Sequence, residues 1–377
     1  MFAVSLAVVA PLCALAFWLW SVGALYAVPQ TGHTIIHTTT TDFGAGAFFR
    51  TGLVNVGGGS NGGEVQLLPI GLGGVWVTDT QSLPLARAQH SAVAVGNRIY
   101  VLGGVDNTNY AQNTVYSASV TLSNTLTAWV TQTNSLPAPL AGHSSIISAT
   151  DVVTRIYVLG GVDAGFVITH AIFYATLNPD GAVGAWITNP VNLPAAIQYA
   201  SVVLLRNQVY LLGGNGPSGS IYRNQVYRAT IQPNGSIGAW TQEASLPQTL
   251  AFASAVLYEG TLSNTIYVQG GSINLSNNSE QVYFADILSD GTLTQWMTST
   301  GNLLEPFHNH AAVQGNGQIY ITGGDSGTGG SVTSRTTVLS ALIEETNPAR
   351  RLLDLGSGKS WVSTDPIPQP RTTHASV

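Results

Sequence analysis

One pattern recurs along this chain and restricts its fold more than any other feature. An apolar stretch with a tyrosine at its second position runs into a Gly-Gly pair five times: Ile99–Gly104, Ile156–Gly161, Val209–Gly214, Ile266–Gly271 and Ile319–Gly324. Successive pairs are 57, 53, 57 and 53 residues apart. Trp76, Trp129, Trp186, Trp240, Trp296 and Trp361 keep the same phase. Each precedes a Leu-Pro-like turn by six or seven residues: Leu83-Pro84, Leu136-Pro137, Leu193-Pro194, Leu246-Pro247, Leu303-Leu304 and Ile367-Pro368. Between these markers lie Val115-Tyr116, Phe173-Tyr174, Val226-Tyr227, Val282-Tyr283 and Val338-Leu339. Turn signals such as Asn178-Pro179-Asp180-Gly181, Gln232-Pro233-Asn234-Gly235 and Ser289-Asp290-Gly291 stand before the Trp stretches. Four short strands per repeat, punctuated by turns, make one unit that cannot bury both of its faces alone. Stacking such units in a ring buries them and predicts a β-propeller.

The Gly-Gly pair followed by Tyr and then Trp, in phase over residues 75–377, resembles the kelch repeat of bacterial, galactose-oxidase-like propellers. The chain ends at His374-Ala375-Ser376-Val377, which matches first strands such as His90-Ser91-Ala92-Val93. Val75-Trp76-Val77 is a Trp strand without a first strand before it, and upstream lie two strand-like runs, 52–57 and 63–68. A blade shared between the two termini would remove free sheet edges. The expected fold is therefore all-β: a six-bladed kelch-type propeller closed by N- and C-terminal strands, with seven blades as the alternative. Residues 29–74 would be linker and closing strands. Asp325 to Asp365 is the least regular stretch, and 349–355 reads as a loop or short helix for docking.

Phe2 to Val28 carries no charge. As a helix it would span ~40 Å, enough for a bilayer. Phe17, Trp18, Trp20 and Tyr26 crowd its second half, where an interfacial aromatic belt belongs. No Lys or Arg precedes it, so the basic start of a cleaved signal peptide is missing. Residues 1–28 are therefore expected to be one transmembrane helix, or an uncleaved signal anchor. The first basic residue is Arg50, so charge bias does not orient it. Length and composition place the large domain on the extracytoplasmic side of a bacterial cell membrane, periplasmic or at the surface.

Charged residues make up 8% of the 377 residues, against roughly 25% in ordinary soluble domains. The net charge is −6 and Lys359 is the one lysine, so no basic tract offers itself to nucleic acid. The single cysteine, Cys13, lies in the apolar segment. No disulfide can form within the chain, and the copper-oxidase chemistry that some kelch-like enzymes perform with a Cys–Tyr cross-link is excluded. Gly356-Ser357-Gly358-Lys359-Ser360 lacks the first glycine of a phosphate loop, since Leu353 stands there. His33 with His37, and His308 with His310, offer two metal ligands each and no third, so no metal or other cofactor is expected. Asp106, Asp163 and Asp325 follow the Gly pairs and read as turn formers.

The resemblance places the residues just before the first strands near the mouth of the central channel. Around the ring they are His90, His143, Tyr199, Phe252, His310 and His374, with Arg87 and Arg371 three residues ahead of theirs. They are the candidate ligand or partner site, and no catalytic residue is assigned. The expectation is a non-catalytic interaction module: an accessory or stabilising subunit of a larger membrane complex, meeting other membrane-protein subunits through the N-terminal segment and the propeller surface. A carbohydrate-binding or carbohydrate-active surface protein is the alternative.

Overall fold

The computed structural model describes residues 77–150, 153–217, 220–315, 317–326, 333–344, 352, 360–363 and 366, with the short stretches 40–41, 44–45, 48–49, 52–56, 64–69 and 375–376 toward the ends. All regular structure in them is β. Five four-stranded antiparallel blades follow one another along the chain. Blade I holds Ser91–Val95, Arg98–Leu102, Val115–Ser119 and Val130–Thr131. Blade II holds Ser144–Ala149, Thr154–Leu159, Ile172–Leu177 and Val183–Thr188. Blade III holds Ser201–Leu205, Gln208–Leu212, Val226–Thr230 and Thr241–Gln242. Blade IV holds Ser254–Glu259, Asn264–Gln269, Val282–Ile287 and Met297–Thr298. Blade V holds Ala311–Gly315, Gln318–Thr322, Val338–Leu342 and Val362–Ser363.

The expected count of six or seven blades is corrected to five. The Gly-Gly strand on which blade packing depends occurs five times. Where the chain ends meet, a different sheet forms in the order Ala375–Ser376, Gly52–Val56, Val65–Pro69, Val77–Thr78. One edge of Gly52–Val56 is divided between two dipeptide strands: Phe48–Phe49 pairs with its beginning and Ala375–Ser376 with its end. A blade has a full inner strand of five or six residues at that place. Ala375–Ser376 runs beside the inner strands of blades I and V. A further dipeptide strand, Thr40–Thr41, places Thr40 opposite Val202 of blade III and turns back as Gly44–Ala45. The segment 1–28 expected to form a transmembrane helix lies outside the described residues, and no helix among the described residues is long and apolar enough to cross a membrane. Phe17, Trp18, Trp20 and Tyr26 lie outside the described residues, as does most of the docking stretch 349–355.

Burial falls from the ring axis outward. All of Ser201–Leu205 is buried, whereas the outermost strands of blades I, III, IV and V are exposed. The inner strands therefore read as apolar runs and the outer ones as isolated pairs. The apolar cores lie between blades rather than within them. Ile146, Tyr157 and Leu159 of blade II pack on Val202, Val209 and Leu211 of blade III, and the seams between blades I and II, III and IV, and IV and V repeat the scheme. At the terminal sheet, Val56, Val65 and Leu67 meet Ala92, Ile99 and Val101 of blade I.

The aromatic signals of the repeat are joints across these seams. Tyr100, Tyr157 and Tyr210 donate their hydroxyls to the carbonyls of Gly181, Gly235 and Gly291 in the next blade, at 2.7, 2.8 and 2.7 Å. Those glycines hold φ of 81°, 92° and 85°, a region glycine enters without steric cost. Going the other way, Trp186 Nε1 donates to Asn134 O at 3.2 Å and Trp296 Nε1 to Ala244 O at 2.9 Å, each in the blade before.

Candidate functional site

The residues that open the inner strands stand where all blades converge. The Gly-Gly pairs make that convergence possible. A Cβ on Gly103 would lie 2.5 Å from Leu140 O of the next blade, and one on Gly104 would lie 2.6 Å from Ala88 O and His90 Cβ of its own. His90, His143 and His310 are fully buried. Burial holds each imidazole at a pKa of about 3, opposed by the backbone of Val56, Leu102 and Gln269 respectively. For His90 the nearby Arg87 pushes the same way as burial. These three rings are neutral wedges between neighbouring sheets. They do not line an opening.

Arg87 is also buried. It holds the place in its blade that Leu140, Ile197, Leu250 and Phe307 hold in theirs. Its guanidinium donates to Thr114 Oγ1 at 2.8 Å and Tyr116 Oη at 3.2 Å, and sits 5.4 Å from the Tyr116 ring centre. Burial lowers its pKa, against the fields of Tyr116 and Asp106. Arg371 and His374 lie outside the described residues.

Tyr199 and Phe252 occupy a different position from the histidines. The residues in phase with His90, His143 and His310 are Ala200 and Ala253, whose Cβ atoms face Gly214 and Gly271 as His90 Cβ faces Gly104. Tyr199 and Phe252 stand one residue earlier, in phase with Gln89, Gly142 and Asn309. All five of these residues hold a left-handed backbone, with φ of 54°, 62°, 56°, 58° and 57° in chain order. Their amides link blade to blade: Gly142 N donates to Gln89 O, Tyr199 N to Gly142 O, Phe252 N to Tyr199 O and Asn309 N to Phe252 O, at 2.9 to 3.2 Å. Glycine and asparagine enter this region readily. Other residues give up about 1–2 kcal/mol there. Blades III and IV nonetheless place large aromatics in it. Their rings stack with centres 4.1 Å apart. Tyr199 crosses over Gly142, where a Cβ would meet its ring at 2.8 Å, and reaches Gln89 Oε1 at 3.3 Å.

A third strained aromatic stands nearby. After the Gly pairs, Asp106 and Asp163 each begin a turn in which the amide three residues on returns to their carbonyl, at 3.0 Å. The fourth residue is left-handed: Asn109 in blade I and Phe166 in blade II, at 61° and 62°. Phe166 is 72% exposed and Tyr110 is 56% exposed, with ring centres 6.3 Å apart. Between Phe166 and Tyr199 opens a cavity of about 770 Å³, lined also by Val105, Ala111, Ala141, Val162 and Ile168. Asp163 does form a turn: its Oδ1 accepts the amides of Gly165 and Val167.

On the far side of Phe252, His308 and Asn309 face Asp325. Asn309 Nδ2 donates to Asp325 Oδ2 at 2.9 Å, and His308 Nε2 lies 4.0 Å from the same oxygen. Burial raises the Asp325 carboxyl to about 6 against that hydrogen bond, and lowers His308 to about 4. The pair is therefore largely uncharged in mildly acidic solution. Sequence phase alone identifies neither this group nor Tyr110 and Phe166. The alignment of Phe166 with Asn109 is the sequence signal for Phe166, while His308 and Asp325 stand out in the sequence only as a possible metal ligand and a turn former.

A model of the Attractin/LZTR1 beta-propeller family matches residues 75–332, well over half of the chain. Among curated proteins, the Kelch-like protein terF of Aspergillus terreus is 28% identical over 223 residues, covering 56% of this chain and 44% of that protein. Kelch-like protein 25 of Xenopus tropicalis is 25% identical over 258 residues, covering 65% of this chain and 38% of that one. The chain thus spans less than half the length of these relatives, which are fungal and amphibian and lend no support to a bacterial origin. The solved structure of YjhT superposes with a TM-score of 0.63 at 17% identity, covering 81% of this chain and 96% of that one, a likeness of fold alone. The kelch-type repeat, the blade topology and the family match agree, and the chain belongs to the Attractin/LZTR1 β-propeller family.

Proposed function

We propose that this propeller is a non-catalytic interaction module, held at the extracytoplasmic face of a membrane by its charge-free N-terminal segment and serving as an accessory subunit of a larger membrane complex. The observation that carries the interaction reading is how the mouth spends its residues. The in-phase histidines are consumed in seams and held neutral, while aromatics in strained backbone are left on the surface beside an apolar cavity. Exposed aromatics of that kind are characteristic of contact sites. The membrane part of the reading rests on the absence of charge from Phe2 to Val28 and on the aromatics in its second half.

Deleting residues 1–28 is expected to release the propeller from membranes into the soluble fraction, together with loss of whatever subunits co-purify with the intact, detergent-extracted chain. Membrane retention of the truncated chain, or a complex that assembles unchanged, would overturn the anchored-subunit reading. The Tyr199–Phe252 stack beside Gln89 favours a carbohydrate as a second reading, because sugar rings stack on aromatic faces. Binding of the full chain on a glycan panel, lost on replacing Phe252 by Asn, would support it.

A further inference from the structure

We propose that the cavity between the post-glycine loops of blades I to III is a docking groove for an extended, acid-free peptide segment of a partner, bearing one large apolar anchor. This rests on the interaction reading and names its site. The lining is aliphatic at Val105, Ala111, Ala141, Val162 and Ile168. Such a lining takes an apolar side chain and offers a polyhydroxylated ligand few partners. The rim adds Phe166 and Tyr199, with Tyr110 beside Phe166 at 6.3 Å between ring centres, large amphipathic or apolar surfaces suited to holding a peptide. Gln89, Asn109 and Gln198 also line the cavity, and primary amides both donate and accept, as a peptide backbone requires.

Charge narrows the ligand further. Asp163 is the one charged side chain lining the cavity among the described residues. The whole chain carries −6. An acidic segment would meet repulsion with no cation to offset it, whereas a neutral or basic one would not. The backbone shows that Phe166 is not there for stability. Blade I satisfies the same turn with Asn109, a residue that accepts the left-handed region, while the Phe166 ring stays 72% exposed and buries little.

The test pans a phage library of 12-residue peptides on the full-length chain in detergent, then measures synthetic hits by fluorescence anisotropy. Enriched peptides should share a large apolar residue and lack Asp and Glu. Phe166→Asn and Tyr110→Ser should each weaken binding at least tenfold, and Phe166→Asn should leave the thermal midpoint unchanged or raised. Acidic hits, no enrichment, or hits bound equally by both variants would overturn the proposal, as would a glycan that competes for the same residues. If a co-purified partner is retained by both variants, the groove assignment falls while the interaction reading stands. Membrane retention of the chain lacking residues 1–28, with peptide binding intact, separates the two in the other direction: the anchored-subunit reading falls while the groove stands.

Discussion

At the residue scale, the histidines that open the inner strands show how one sequence position serves packing and sets acid stability. His90, His143 and His310 are neutral in the fold at a pKa of about 3, against about 6.5 when unfolded. Between those values the unfolded chain binds more protons, so stability is retained above pH 6.5 and lost as pH falls toward 3. Asp325 works in the opposite sense. Raised to about 6, it favours the fold at low pH and loses that contribution as pH rises through 6. Three histidines outweigh one carboxyl, so the urea midpoint should decline as pH is lowered from 6.5 to 4. His143→Asn should remove up to ~1.4 kcal/mol per pH unit of that slope. A slope that stays unchanged in the variant would mean that His143 is solvated.

At the element scale, the Gly-Gly strands of blades I, II and III are each coupled to a turn one blade away. The Tyr157 hydroxyl meets the Gly235 carbonyl, and Gly235 holds a backbone that few residues adopt. Removing the hydroxyl leaves a buried carbonyl unpaired, which costs more than the net value of an ordinary hydrogen bond. Tyr157→Phe is therefore expected to lower stability by about 1–3 kcal/mol in denaturant titration. The ring still packs on Tyr174, with centres 5.6 Å apart, so the fold itself should persist. The turn, strand and Trp signals were legible in sequence because they recur in phase. That they join different blades was not, since phase gives the period and not the partner.

At the scale of the whole molecule, cores that lie between blades make each blade's stability its neighbours' as well. Leu140→Ala, in the seam of blades I and II, should cost about 2–5 kcal/mol and lower the midpoint of the entire propeller. Val130→Ala, on a strand where the side chain is 57% exposed, should change stability by less than about 0.5 kcal/mol. Separate transitions for separate blades in calorimetry would contradict this coupling. The all-β class, the kelch-type repeat and the phase of its strands follow from the sequence alone, because glycine pairs, tyrosines and tryptophans answer local and repeated steric demands. The blade count did not follow: whether two chain ends complete an inner strand depends on a pairing some three hundred residues apart. Nor did the character of the mouth. The sequence placed Tyr199 and Phe252 in one ring with the histidines, whereas the fold separates neutral, buried wedges from strained, stacked aromatics one residue away. A one-residue step reverses which way a side chain faces, and only the packed seams decide which residue takes that step.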